Sequence, residues 1–213
     1  MFILTDFESL KNIKKFAVLG GTFDPIHFGH ISVAEEVLEK TDVEKIIFIP
    51  AGNPPHKSYA DVTPPLDRLK MTALAIEGRK NMEISSIEID REGTTYTVDT
   101  IIELKRMLGD NVNFKFITGA DAIHYITTWK NYKKLLEICD FIAVTRPGFN
   151  KKILLEEISF MEQNFKSRVE FIEIRPVDIS SSQIRQRVAE GMPINGLVPK
   201  KVEEYIINKK LYK

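Results

Sequence analysis

Short apolar runs of strand length alternate along the chain with longer stretches whose apolar positions recur at helical spacing. The runs are FAVLG (16–20), KIIFIP (45–50), MEISSIEID (82–90), NFKFITG (113–119), FIAVT (141–145) and RVEFIEI (168–174). Between the first two, Ile31, Ala34, Val37 and Leu38 of HISVAEEVLEK fall on one helical face. PPLDRLKMTALAIEG predicts a helix with prolines just inside its start and Thr63 placed to cap it. YTVDTIIELKRMLG predicts a helix ended by Gly109, and DAIHYI and NYKKLLEI predict two short ones. KKILLEEISFMEQNF is amphipathic, and the tail turns helical through SSQIRQRVAEG and PKKVEEYIINKK.

Strand–helix alternation of this kind predicts an α/β fold, a Rossmann-like doubly wound parallel sheet covered on both faces. No internal repeat and no long linker divides the chain, so residues 15–213 are expected to form one domain with a small helical C-terminal piece from 179 onward. Residues 1–14 are an N-terminal extension that reads equally as a helical arm, a frayed tail or a start codon placed too early. In such sheets ligands bind beyond the carboxyl ends of the strands. Attention therefore falls on Gly20–His30, Pro50–Lys57, Asp90–Thr100, Gly119–Trp129, Arg146–Gly148 and Asp178–Arg187.

Composition narrows the classes. The formal net charge is zero, so no basic excess exists to neutralise a nucleic-acid backbone. A single cysteine, Cys139, excludes an intramolecular disulfide and any cysteine-rich zinc site. No apolar stretch approaches the roughly 20 residues that span a bilayer. The start lacks a secretory h-region, which predicts a cytoplasmic protein without a membrane partner. A homo-oligomer is compatible with the pattern, which does not distinguish it from a monomer.

The densest chemistry lies in GGTFDPIHFGH (20–30). Gly20 and Gly21 allow a ligand close to the backbone. Asp24-Pro25 makes a turn. His30 falls in the first turn of a helix, whose free N–H groups and dipole favour an anion, and His27 lies on the same side. Both imidazoles are then placed to donate to a phosphate. The bland alternatives are a glycine-rich turn with two surface histidines, or one histidine buried and satisfied. A zinc site lacks a third ligand at a recognisable spacing.

G-G-T-F-D-P-x-H-x-G-H resembles the signature of the nucleotidyltransferase superfamily with the H-x-G-H motif. Within it the chain is similar to the bacterial nicotinate-nucleotide adenylyltransferases, which make deamido-NAD and pyrophosphate from nicotinate mononucleotide and ATP. The resemblance spans about residues 15 to 208, with several motifs in order. It implies that Gly20, Gly21, Thr22 and Phe23 read the adenine end by backbone groups, and that His27 and His30 face the α- and β-phosphates.

The remaining motifs each have a structural reading and one that the resemblance adds. PAGNPPHK (50–57) is a stiff loop presenting His56 and Lys57; the resemblance turns it toward the mononucleotide and the triphosphate. In YTVDT (96–100), Thr95 or Thr97 would serve as an ordinary N-cap. The resemblance implies that Tyr96 and Thr97, with Thr100 behind them, hold the nicotinate end. In TGADAIHYITTWKNY (118–132), Gly119 permits close approach and Asp121 would accept from ribose hydroxyls; the resemblance sets Trp129 against the pyridine ring. Arg146 of TRPG is either a surface residue or a contact to the mononucleotide phosphate or ring carboxylate. In DISSSQIRQR, Ser180 and Gln183 fit a capping box, while the resemblance gives Ser181, Ser182 and Arg185 the ATP triphosphate, with Ser182 standing where threonine is more usual.

The implied reaction is in-line attack of the mononucleotide phosphate on the α-phosphorus of ATP, with Mg²⁺ on the phosphate oxygens and no metal held by protein ligands. It needs no general base, because the attacking phosphate is already ionised. Two adenylyltransferase alternatives use nicotinamide mononucleotide or phosphopantetheine as acceptor. A different class is a non-catalytic module that senses ATP or NAD.

Overall fold

A computed structural model describes the chain except for residues 1–4, 6, 11–12, 14, 56–61, 110–111, 113, 146–150 and 166. His56, Lys57 and Arg146 therefore lie outside the described residues. Among the described residues six strands form one parallel sheet: β1 (Phe16–Gly21), β2 (Lys45–Pro50), β3 (Met82–Ile84), β4 (Phe114–Gly119), β5 (Asp140–Thr145) and β6 (Val169–Glu173). Their order is β3-β2-β1-β4-β5-β6, and every neighbouring pair is parallel. This is the doubly wound order expected from the alternation, and its reversal point lies between β1 and β4.

Alternation along the strands sends neighbouring residues to opposite faces. Ala17, Leu19, Ile46, Phe48, Ile117 and Ile142 pack on one side. That face is covered by α2 (Phe28–Lys40), α3 (Pro65–Ile76), α8 (Ser181–Ala189) and α9 (Lys200–Lys209). Phe16, Val18, Ile47, Phe114, Phe116 and Phe141 pack on the other. Here α1 (Phe7–Leu10), α4 (Thr97–Leu108), α5 (Ala120–His124), α6 (Tyr132–Ile138) and α7 (Lys151–Asn164) close the layer. Leu10 of the N-terminal extension is fully buried there, so that segment contributes to the core. Cys139 lies in the same layer, where burial raises its thiol pKa far above the usual range.

Three local expectations are corrected. The 82–90 run is a strand only over 82–84; beyond it the serine hydroxyls bond within the segment. Ile87 N–H donates to Ser85 Oγ at 3.2 Å, and Ser86 Oγ donates to Asp90 at 2.6 Å. Thr63 does not cap α3; Pro64 stands at the cap without a side-chain bond, and Thr63 N–H donates instead to Asp24 Oδ2 at 3.2 Å. Neither Thr95 nor Thr97 caps α4, whose N-cap is Tyr96. No helix among the described residues is long and apolar enough to cross a membrane.

Candidate active site

The first strand ends in GG, and the chain turns through a cis Asp24-Pro25 bond into α2. His27 is the N-cap of that helix and His30 is its third residue. Gly29 N–H donates to His27 Nδ1 at 3.1 Å, and His27 N–H donates back to His30 Nδ1 at 3.3 Å. The three-residue spacing is thus a capping box built from two histidines. The two rings lie 3.8 Å apart, and a Cβ on residue 29 would come within 2.9 Å of the His27 ring. The glycine is there because imidazole lies over its Cα.

The box has an electrostatic consequence. Both Nδ1 atoms accept from backbone N–H groups, so each neutral ring carries its proton on Nε2. Burial and the neighbouring His27 pull the His30 pKa down to about 3. His30 is therefore a neutral donor at physiological pH. The expectation that free backbone N–H groups at this helix start meet an anion is overturned. Phe28 N–H donates to Leu197 O at 3.0 Å, and the Gly29 and His30 N–H groups both donate to His27. What this helix start turns to the cleft is the His30 imidazole.

A cleft of about 980 Å³ opens at the carboxyl ends of β1 and β4, where the strand order reverses. Gly20, Gly21, Thr22, His30, Tyr96, Thr97, Gly119, Asp121 and Trp129 all line it. His27 sits behind His30 with 6% of its surface exposed. The Phe23 side chain does not line the cleft; it is buried under the loop, edge-on to His30 at 5.0 Å. Ser181, Ser182 and Arg185 lie outside the cleft lining, at the start of α8. They lean on the same turn as the histidines: Ser181 Oγ donates to Pro25 O at 2.8 Å, and Arg185 donates to Asp24 O at 2.8 Å. Ser180 Oγ caps α8 by accepting from Gln183 N–H at 3.2 Å.

At the opposite end the start of α4 is open. Tyr96 makes no side-chain cap, and the Thr97 and Val98 N–H groups have no partner among the described residues. Trp129 stands edge-on to Phe116 at 6.4 Å. Lys130 lies over the Tyr96 ring at 4.1 Å and pairs with Asp99 at 3.1 Å. This end combines an aromatic edge, a cation and two unpaired backbone donors.

The cytidylyltransferase-like family matches residues 18–187 of this chain. A probable nicotinate-nucleotide adenylyltransferase of Thermoanaerobacter sp. (strain X514) is 46% identical over 199 residues, covering 93% of this chain and 94% of the relative. One from Moorella thermoacetica is also 46% identical, covering 93% and 92%. The chain belongs to the nicotinate-nucleotide adenylyltransferase family. Among solved structures, it is similar to the Plasmodium falciparum nicotinic acid mononucleotide adenylyltransferase complexed with NaAD. That likeness has a TM-score of 0.74 at 25% identity and covers 93% of this chain and 97% of the other.

Further residues of this family member shape the site in ways that their sequence patterns did not show. Arg68 on α3 is fully buried and holds loops on two sides of the cleft. Its signal was a cation on the stripe it shares with Met71, Thr72 and Ala75, all of them buried. Glu88 lines the cleft; burial raises its carboxyl pKa, and Thr100 Oγ1 donates to it at 2.7 Å. Thr95, expected at a helix cap, donates from both N–H and Oγ1 to Asn53 O at 2.9 and 3.0 Å. Asp24 is 2% exposed, and its carboxylate accepts from Thr63 N–H and, at 2.7 Å, from Tyr212 OH.

Proposed function

We propose that the protein transfers the adenylyl group of ATP to nicotinate mononucleotide, giving deamido-NAD and pyrophosphate for NAD biosynthesis. The observation that carries this reading is a single cleft joining an imidazole edge at α2 to an open helix start beside Trp129 at α4. An oxygen of the mononucleotide 5′-phosphate forms a bond to the α-phosphorus. The bond to the bridging oxygen breaks, and its electron pair leaves with pyrophosphate.

In this reading His27 and His30 donate from Nε2–H to the α- and β-phosphates as charge moves onto the leaving group. A neutral ring whose Nδ1 accepts from the backbone keeps Nε2–H as its donor. Ser181, Ser182 and Arg185 hold the triphosphate from α8. Gly20, Gly21, Thr22 and the Phe23 backbone receive the adenosine, with Gly119 and Asp121 beside its ribose. Tyr96, Thr97 and Trp129 receive the nicotinate, the carboxylate meeting the unpaired N–H groups of α4. By the family resemblance His56 and Lys57 face the mononucleotide and the triphosphate, and Arg146 faces the mononucleotide phosphate or the ring carboxylate.

Among the described residues no group of three His, Cys, Asp or Glu side chains has the arrangement to hold a metal ion. Magnesium belongs in this reading to the ATP, on its phosphate oxygens. The enzyme is read as cytoplasmic, acting on small nucleotides rather than on nucleic acid. The test is pyrophosphate release from Mg-ATP with nicotinate mononucleotide, its amide or phosphopantetheine as acceptor. Strong preference for the acid is expected; equal use of acid and amide would break the carboxylate assignment, and no release would leave a nucleotide-binding module.

A further inference from the structure

Arg68 is fully buried, with no surface left for a ligand to touch. Its guanidinium nonetheless donates to three backbone carbonyls from separate stretches of chain. Nη1 reaches Thr22 O at 2.8 Å, in the loop after β1. Nη2 reaches Gly52 O at 2.9 Å, in the loop after β2, and Nε reaches Thr63 O at 2.8 Å, just before α3. The rigid planar fork of arginine converts these bonds into fixed separations, which a flexible ammonium does not reproduce.

The tie continues in both directions. From Thr22 the loop runs directly into the Asp24-Pro25 turn and the histidine pair. From Gly52 the next residue, Asn53, accepts both donors of Thr95, and Tyr96 then opens α4. Gly52 itself is pressed so closely on the neighbouring segment that a Cβ would lie 2.1 Å from Glu88 O. Arg68 thus stands at the middle of a short backbone chain linking the phosphate end of the cleft to the pyridine end. Replacing a buried, hydrogen-bonded cation by an apolar side chain of similar volume is often neutral for stability, so stabilisation alone does not account for the charge.

We infer that Arg68 is a positioning residue for adenylyl transfer, setting the spacing between the ATP-facing loop and the acceptor-facing helix start. The inference rests on the proposed reaction. Misplacement of reacting atoms by about 1 Å costs on the order of 100-fold in rate. Arg68→Met and Arg68→Lys are to be compared with the wild-type chain by steady-state pyrophosphate release, well below the melting temperature of each. The expected result is kcat lowered roughly 10- to 100-fold in Arg68→Met and less in Arg68→Lys, with KM for each substrate within about threefold. A residue that only stabilised the core would lower the melting temperature and leave kcat of the folded fraction intact. Wild-type kcat in both variants, or failure of both to fold, overturns the positioning role alone. An inactive wild-type chain instead strikes down the reaction itself, and the positioning role with it.

Discussion

At the start of α2 the early backbone N–H groups are taken up inside the protein, by Leu197 O and by the atoms of His27. At the start of α4 Tyr96 supplies no side-chain cap, and the Thr97 and Val98 N–H groups have no partner among the described residues. Both helix starts adjoin the same cleft. At α2 the donors offered to an anion are imidazole Nε2–H groups, which a side-chain deletion removes. At α4 they are main-chain groups, which no side-chain deletion touches. Mutational tests must therefore differ at the two ends, and alanine scanning alone would misread α4 as inert.

The largest effect is expected from the imidazoles. His30→Ala should lower kcat by about 100- to 1,000-fold, the usual cost of one donor aimed at developing charge. His27→Ala should do the same and also cost about 1 kcal/mol of stability, because it removes the cap of α2. Activity within a few-fold of wild type in either would take the imidazole edge out of the reaction. Next comes Thr97→Pro. Proline is tolerated at the first helical position and deletes its N–H together with the Thr97 hydroxyl. Tyr96, at φ −121 and ψ 141, already has the extended backbone that precedes proline. A lost bond to a carboxylate predicts a KM for the acid raised about 10-fold or more, with the amide little changed. Equal losses for acid and amide would mean that the carboxylate is read elsewhere.

Trp129→Ala should be milder, raising KM for the mononucleotide about 2- to 10-fold through lost ring contact while sparing ATP. The smallest effect is an absence. His30 is held near pKa 3, so its ring resonances should stay fixed in an NMR titration between about pH 5 and 8, where an ordinary histidine moves. The folded ring binds its proton only near pH 3, whereas the unfolded ring does so near 6.5. Acidification through that interval therefore favours the unfolded chain and lowers stability. A midpoint near 6.5 in the folded protein would mean that neither burial nor the neighbouring His27 acts on the ring.

The sheet was legible because parallel strands are continuous apolar runs, and FAVLG, KIIFIP and FIAVT are hard to read otherwise. MEISSIEID misled because Ile84, Ile87 and Ile89 mimic a strand, while Ser85 and Ser86 bond locally and bend the chain. The histidine loop stood out by composition, yet its capping geometry did not. A histidine at an N-cap is an unusual choice, and only coordinates reveal that both Nδ1 atoms are spent on the backbone. Arg68 was hidden for a different reason: a cation on the buried stripe of a helix says that it is paired, but not with what. Its three carbonyl partners are far apart in sequence and carry no side-chain signature.

Cys139, sealed between the sheet and its helical layer with its thiol far from ionising, makes the natural sequence a ready background for spectroscopy. Thiol reagents that need a thiolate should pass it by. A cysteine introduced at Pro55 and another at Thr128, both lining the cleft, would take a pair of dyes without competition from the native residue. The distance between them, followed as each nucleotide is added, would turn the separation of the cleft walls into an optical signal.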